Sequence, residues 1–244
     1  MRLRESTARA VIVALGIALA GWLAGRGFAR GRTSERIVSV KGISEREVQS
    51  DLALWPLRVV ATGDDLGRVQ SRIAGDVQQV RTFLARHGVD SSAAELQRLD
   101  VTDAFANQYQ DASRVTSRYV IRQTIMVRSE NPETILRASR EVGQLVGGGV
   151  VLESGGEYGS GGPTFLFTKL NDLKPAMIGE ATARAHEAAE RFAQDSRSSL
   201  GGIRRASQGV FEILPRDQAP GVQAESQLFK TVRVVSTIEY LLQD

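Results

Sequence analysis

The stretch that most resembles a reactive site is "HEAAE" (186–190), inside the alanine-rich run "KPAMIGEATARAHEAAERFA" (174–193). On a helix, His186 and Glu190 stand one turn apart, where an imidazole and a carboxylate can share a cation. Glu187 follows the histidine as in the zinc-protease signature H-E-x-x-H. The second histidine of that signature is missing, because position 190 is glutamate. A catalytic zinc wants three protein ligands, and the only other histidine, His87, ends a different predicted helix. The helical projection favours a packing role instead. Ile178, Ala181, Ala185, Ala188, Ala189 and Phe192 fall on one apolar face, with His186 at its margin. Glu180 with Arg184, and Glu187 with Arg191, form i,i+4 pairs on the far side.

Other chemistries find weaker candidates. The absence of cysteine excludes disulfides, thiolate nucleophiles and Cys-ligated zinc. "GGGVVLESGGEYGSGG" (147–162) is half glycine, yet it lacks the lysine of a phosphate loop and contains no G-x-G-x-x-G. It reads as a mobile surface loop, with gating or partner contact as its functional use. No G-x-S-x-G elbow is present to hold a serine nucleophile. Asp100 with Asp103, and Glu153 with Glu157, are conceivable carboxylate pairs that nothing else in the chain supports. Arg98, Arg118, Arg122, Arg204, Arg205 and Arg233 lie on predicted strands, where pairing with neighbouring acids is favoured over anion capture. No catalytic, cofactor-binding or metal-binding residue is assigned.

The elements that would position these residues follow from hydrophobic period. "IVSVKGI" (37–43) and "LALWPLRVVA" (52–61) read as strands, and Pro56 predicts an edge or a bulge in the second. Residues 65–87 read as a helix through Leu66, Val69, Ile73, Val77, Val80 and Leu84, with Asp64 as N-cap and Gly88 as its stop. Strands are expected at about 95–105 and 115–128, then a helix from Pro132 to about Val146. "PTFLFTKL" leads into a helix over about 172–199, closed by "LGG" (200–202), with strands at about 203–214 and 228–242. Strand–helix–strand–strand thus occurs twice, and "RYVIRQTIMV" (118–127) matches "TVRVVSTIEY" (231–240), as an internal duplication would produce. The pattern predicts an α+β fold with an antiparallel or mixed sheet packed by helices.

Charge is unevenly placed. Residues 1–36 hold seven arginines against two glutamates, a net of +5, and the remainder carries a net of −2. A basic leader on a slightly acidic domain speaks against nucleic-acid binding and for membrane headgroups. "AVIVALGIALAGWLAG" (10–25) carries no charge, and with "GFA" it extends to residue 29. The expected division is a basic N-terminus (1–9), a transmembrane helix (10–29), an arginine-rich linker (30–36) and one domain (37–244). Cleavage as a signal peptide after Ala18-Leu19-Ala20 is the alternative.

Three stretches carry a family resemblance: "VSVKGISEREVQSDLALWPLRV", "MIGEATARAHEAAERFAQDSRSSLGGIRRASQGVFEI" and "KTVRVVSTIEYLL". Together they resemble the SIMPL-domain, YggE-like proteins, which include a periplasmic immunogenic protein of bacteria. The resemblance implies an exported α+β domain, an association with oxidative-stress defence and a homo-oligomer, and it brings no catalytic residues. The expected protein is non-enzymatic, anchored in the bacterial inner membrane with its domain in the periplasm, and self-associating, without a cofactor. The alternative is an envelope small-ligand-binding module with 147–162 as lid, ahead of a metal-dependent hydrolase using His186.

Overall fold

The computed structural model describes residues 14–26, 35–106, 116–153 and 162–244. The fold is α+β, with two four-stranded sheets among the described residues. In chain order the elements are α1 (14–26), β1 (Ile37–Gln49), β2 (Leu52–Gly63), α2 (Leu66–Arg86), β3 (Ala94–Asp103), β4 (Tyr119–Ser129), α3 (Pro132–Arg140) and α4 (Gly143–Gly147). Then come β5 (Thr164–Leu166), α5 (Leu170–Asp195), β6 (Ser199–Gln208), β7 (Glu212–Pro215) and β8 (Phe229–Gln243). The chain divides into two compact units: one of Arg184–Ser207, Thr237–Asp244 and the chain up to Lys41, the other of Gly42–Ala183 and Gln208–Ser236.

In the larger unit, β3-β4-β2-β5 form an antiparallel sheet. Alternation places Ala53, Trp55, Leu57, Val59 and Ala61 on one buried face of β2, beside Ile121, Ile125 and Val127 of β4. α2 supplies Val69, Ile73, Val80, Phe83 and Leu84 to the same core. Its N-cap is Asp65, which accepts from the Arg68 amide at 2.9 Å, and not Asp64, which accepts from the Arg118 amide at 3.0 Å. A side-chain cap of this kind contributes about 1 kcal/mol. Gly88 follows the helix with φ +77, as expected of a left-handed stop. The helix expected over 132–146 is two helices, α3 and α4, interrupted at Glu141–Val142.

Pro56 is not on an edge strand, yet its ring meets no ladder. The Val60 amide donates to Val151 O, and Arg58 O accepts from the Glu153 amide, so residues of that parity turn away from β4. Pro56 shares that parity and lies between Leu52–Leu54, which pair with β5, and Arg58–Val60, which meet 151–153. Its missing N–H therefore falls where β2 has no neighbour among the described residues. The bridge between Val59 and Leu152, and the burial of Val150, also correct the expectation of a loop over 147–162. The start of that segment is packed, and 154–161 lie outside the described residues.

In the second sheet β8 is central, bonded to β1 on one side and to β6 and β7 on the other. The strand expected at 203–214 is thus two strands, parted at Gly209, whose amide donates to Val235 O at 2.8 Å. A Cβ at Gly209 would lie 2.9 Å from that same oxygen, so only glycine permits the approach. The halves do not form independent repeats. β4 and β8 are both central strands, in keeping with their matched sequences, but β5 joins the sheet of β2 while β1 pairs with β8.

α5 buries Met177, Ala181, Ala185, Ala189 and Ala193, one residue every four. Each step of four advances about 40° beyond a full turn, so the buried line winds slowly round the helix. Ala188 and Phe192, expected on that line, are exposed, Phe192 by 51%. In the larger unit Met177 and Ala181 pack on Val232 and Val234; in the smaller, Ala185 and Ala189 pack on Val38, Ile238 and Tyr240. The helix stops at Asp195 rather than at about 199. The Ser198 amide returns to Ala193 O and the Arg197 amide to Gln194 O, with Arg197 at φ +55 taking the place glycine usually fills. "LGG" is therefore strand, inside β6.

The N-terminal helix α1 covers 14–26, about 20 Å at 1.5 Å per residue. Residues 10–13 and 27–29 of the expected span lie outside the described residues. No helix among the described residues is long and apolar enough to cross a membrane.

Candidate functional site

His186 projects from α5 beside its alanine line, and Tyr240 lies on the buried face of β8. Nδ1 of His186 is 3.3 Å from the Tyr240 hydroxyl, and the two rings are 5.6 Å apart at an interplanar angle of 53°. Nε2 lies 3.2 Å from Glu190 Oε1. With hydrogen on Nε2 the neutral ring accepts from the phenol at Nδ1, and with hydrogen on Nδ1 it donates to the phenol. Burial, and then the charge of Glu190, push the Tyr240 hydroxyl above its ordinary range. The three groups form a chain Tyr240–His186–Glu190 that links strand to helix, with the phenol end 3% exposed. Among the described residues, no group of three or more His, Asp or Glu is placed to hold a metal. Glu187 turns to Arg191 at 2.5 Å, as the helical spacing predicted. Glu180 receives the Ser44 hydroxyl at 2.8 Å and stands 3.8 Å from Arg46, joining α5 to β1.

The remaining sequence candidates are not brought together. His87 belongs to the larger unit, its ring tilted against Phe83 with centroids 4.4 Å apart and its Nε2 3.9 Å from Glu141. Asp100 and Asp103 lie on opposite faces of β3. Asp100 pairs with Arg98 at 2.9 Å, and Asp103 with Arg118 at 3.1 Å. Hydrogen bonds from Arg118 and from the Phe105 amide hold the Asp103 carboxyl below the usual carboxylate range. Glu153 sits between Arg58 at 3.3 Å and Arg122 at 3.4 Å, while Glu157 lies outside the described residues. Arg204 meets Glu35 at 3.5 Å and Arg233 meets Glu45 at 3.3 Å; Arg205 is exposed. Apart from Arg205, these arginines meet acids, though only some do so across a ladder.

Two charged residues absent from the sequence reading, Lys230 and Asp76, are buried, and a third, Asp51, is half-buried. Lys230 is 2% exposed, in the register of Val232, Val234, Ser236, Ile238 and Tyr240 along β8. Its Nζ donates to Ala224 O and, at 3.2 Å, to Gln227 O, and burial lowers its affinity for the proton. Asp76 is 5% exposed on α2, between Ile73 and Val80, and its Oδ2 has no hydrogen-bond partner among the described residues. Burial raises its carboxyl against the attraction of Arg72. Asp51 accepts from the amide and the hydroxyl of Thr168, both at 2.6 Å. Burial opposes its ionisation, but these bonds win and the carboxyl is lowered. The parity of Lys230 and the i+3/i+4 position of Asp76 were the available signals.

An open groove of about 920 Å³ lies beside Leu54, Met126, Glu95, Arg128 and Asn131. Its charged lining is three acids, Asp90, Glu95 and Glu130, with Arg128. A family model described as "SIMPL: Protein of unknown function (DUF541)" matches residues 38–239, nearly the whole chain beyond the leader. No curated protein matches the chain.

Proposed function

The chain belongs to the SIMPL family, and from that premise we propose that it works by self-association, as a non-enzymatic protein anchored outside the cytoplasm by its N-terminal segment. The observation that carries this reading is where apolar side chains meet solvent. Leu96, Leu99 and Val101 on β3, and Ile203 on β6, are 44–58% exposed, all on strands at sheet edges. Edge strands with exposed apolar residues template pairing with another chain. The candidate reactive groups meanwhile serve as links between elements, as His186 does between Tyr240 and Glu190. For the anchor, the support is the uncharged run 10–25 and the arginine-rich flanks. Envelope stress defence is the physiological setting the family resemblance suggests.

Native mass spectrometry of the full-length protein in mild detergent tests the proposal. A mass that is a multiple of the 26.5 kDa chain is expected. A monomer at tens of micromolar overturns it.

A further inference from the structure

Resting on that reading of self-association, we propose that β3 is the joining edge: two copies of this chain pair their β3 strands antiparallel about a two-fold axis at Leu99. Among the described residues β3 is bonded to β4 alone. Its pairing runs Ala94 to Val127 and Leu96 to Ile125, shifts between Leu96 and Arg98, then runs Leu99 to Gln123 and Val101 to Ile121. The shift is a bulge, and it has a definite effect. Leu96, Leu99 and Val101 are spaced three and two apart, which a regular strand would split between faces. With the bulge, all three share the face of buried Ile121 and Ile125. They are nonetheless 44, 58 and 53% exposed. The core face of the sheet therefore runs out to its edge and stops at open apolar side chains.

Charge selects the partner and the register. The opposite face of β3 carries Arg98 and Asp100, with side chains 54% and 43% exposed. A two-fold axis normal to the sheet keeps like faces together, so it must centre on a residue. Centring on Arg98 or on Asp100 sets like charges opposite each other. Centring on Val101 sets Leu99 opposite an aspartate, the partner's Asp103. Centring on Leu99 alone brings Arg98 opposite the partner's Asp100, reciprocally on both sides, with leucine meeting leucine between them. Of the second sheet's edge strands, β1 keeps its apolar side chains from Val38 to Val48 buried or half-buried, and β6 lacks the charge pairing. It carries Arg204 and Arg205 side by side and no acidic residue, so a second copy would bring arginine to arginine.

The test uses full-length protein and native mass spectrometry. Arg98→Asp and Asp100→Arg are each expected to halve the wild-type mass, since each sets like charges opposite in both pairs. Mixed in equal amounts, the two variants are expected to restore the wild-type mass as a heteromer, because aspartates at 98 and 100 of one chain then face arginines of the other. A folding defect would not be rescued by mixing. In the cysteine-free chain, Leu99→Cys is expected to give a disulfide-linked dimer on oxidation. If wild type is oligomeric but the single charge variants keep its mass, or the Leu99→Cys variant fails to cross-link, the β3 inference falls and self-association stands. If wild type is itself monomeric, the functional reading falls with it.

Discussion

Asp76 is the side chain most at odds with its surroundings: a carboxylate on the core-facing side of α2 with one oxygen unpartnered among the described residues. Its folded-state proton affinity is raised above the ordinary 3.8. A group shifted in that direction contributes most below its unfolded value and loses that contribution as pH rises through the folded one. Asp76→Asn, which stays neutral, is therefore expected to stabilise the protein by about 1 kcal/mol at pH 7. The gain should vanish near pH 3, as read from urea midpoints at the two pH values. Equal effects at both would contradict the assignment. Asp51 runs the opposite way. Its lowered carboxyl supports the fold above 3.8 and ceases to do so as the pH falls through its folded value. Legibility at this scale depended on pattern. His186, Glu187 and Glu190 stood out because their residue types suggest chemistry, and their actual partner Tyr240 comes from a strand 54 residues on. Lys230 and Asp76 interrupt apolar patterns that local reading completes without them.

Elements were more legible than sites, because period survives where partners do not. β8, α2 and the central part of β2 follow from alternation or helical spacing, and their ends move by a residue or two. The misplaced boundaries share a cause: a signal delivered by an unusual residue. Arg197 ends α5 in a backbone conformation associated with glycine, so the glycines beyond it look like the stop and are not. The α5 stripe itself shows how small side chains set distance. Ala185 and Ala189 are fully buried, with strand residues Val38, Ile238 and Tyr240 packed against them. Ala189→Leu inserts three carbons where there is no room, and a loss of about 1–3 kcal/mol is expected by chemical denaturation. Ala188→Leu, one residue along on the exposed side, is expected to change stability by less than about 0.5 kcal/mol. Similar losses for both would mean that the alanine line is not the contact.

At the scale of the whole chain, the sequence suggested two repeats, and the structure shows that β1 and β5 do not stay with the repeats to which their order would assign them. Partner choice between strands is set by distant pairing, which no local window contains. One sheet is complete within residues 52–166, whereas β1, β6 and β7 bond through β8. A chain ending at Leu228 is accordingly expected to keep a protease-resistant fragment of about 52–166 and to lose the rest on limited digestion. Resistance restricted to α5 would refute that division. The same topology has a temporal side. β1 leaves the ribosome well before β8, the fifteen-residue strand it pairs with. Until β8 emerges, the nascent polypeptide carries a thirteen-residue β1 without its sheet partner. Such long-range closure is slow and leaves the intermediate prone to clumping. This chain should therefore depend on a holdase during its production.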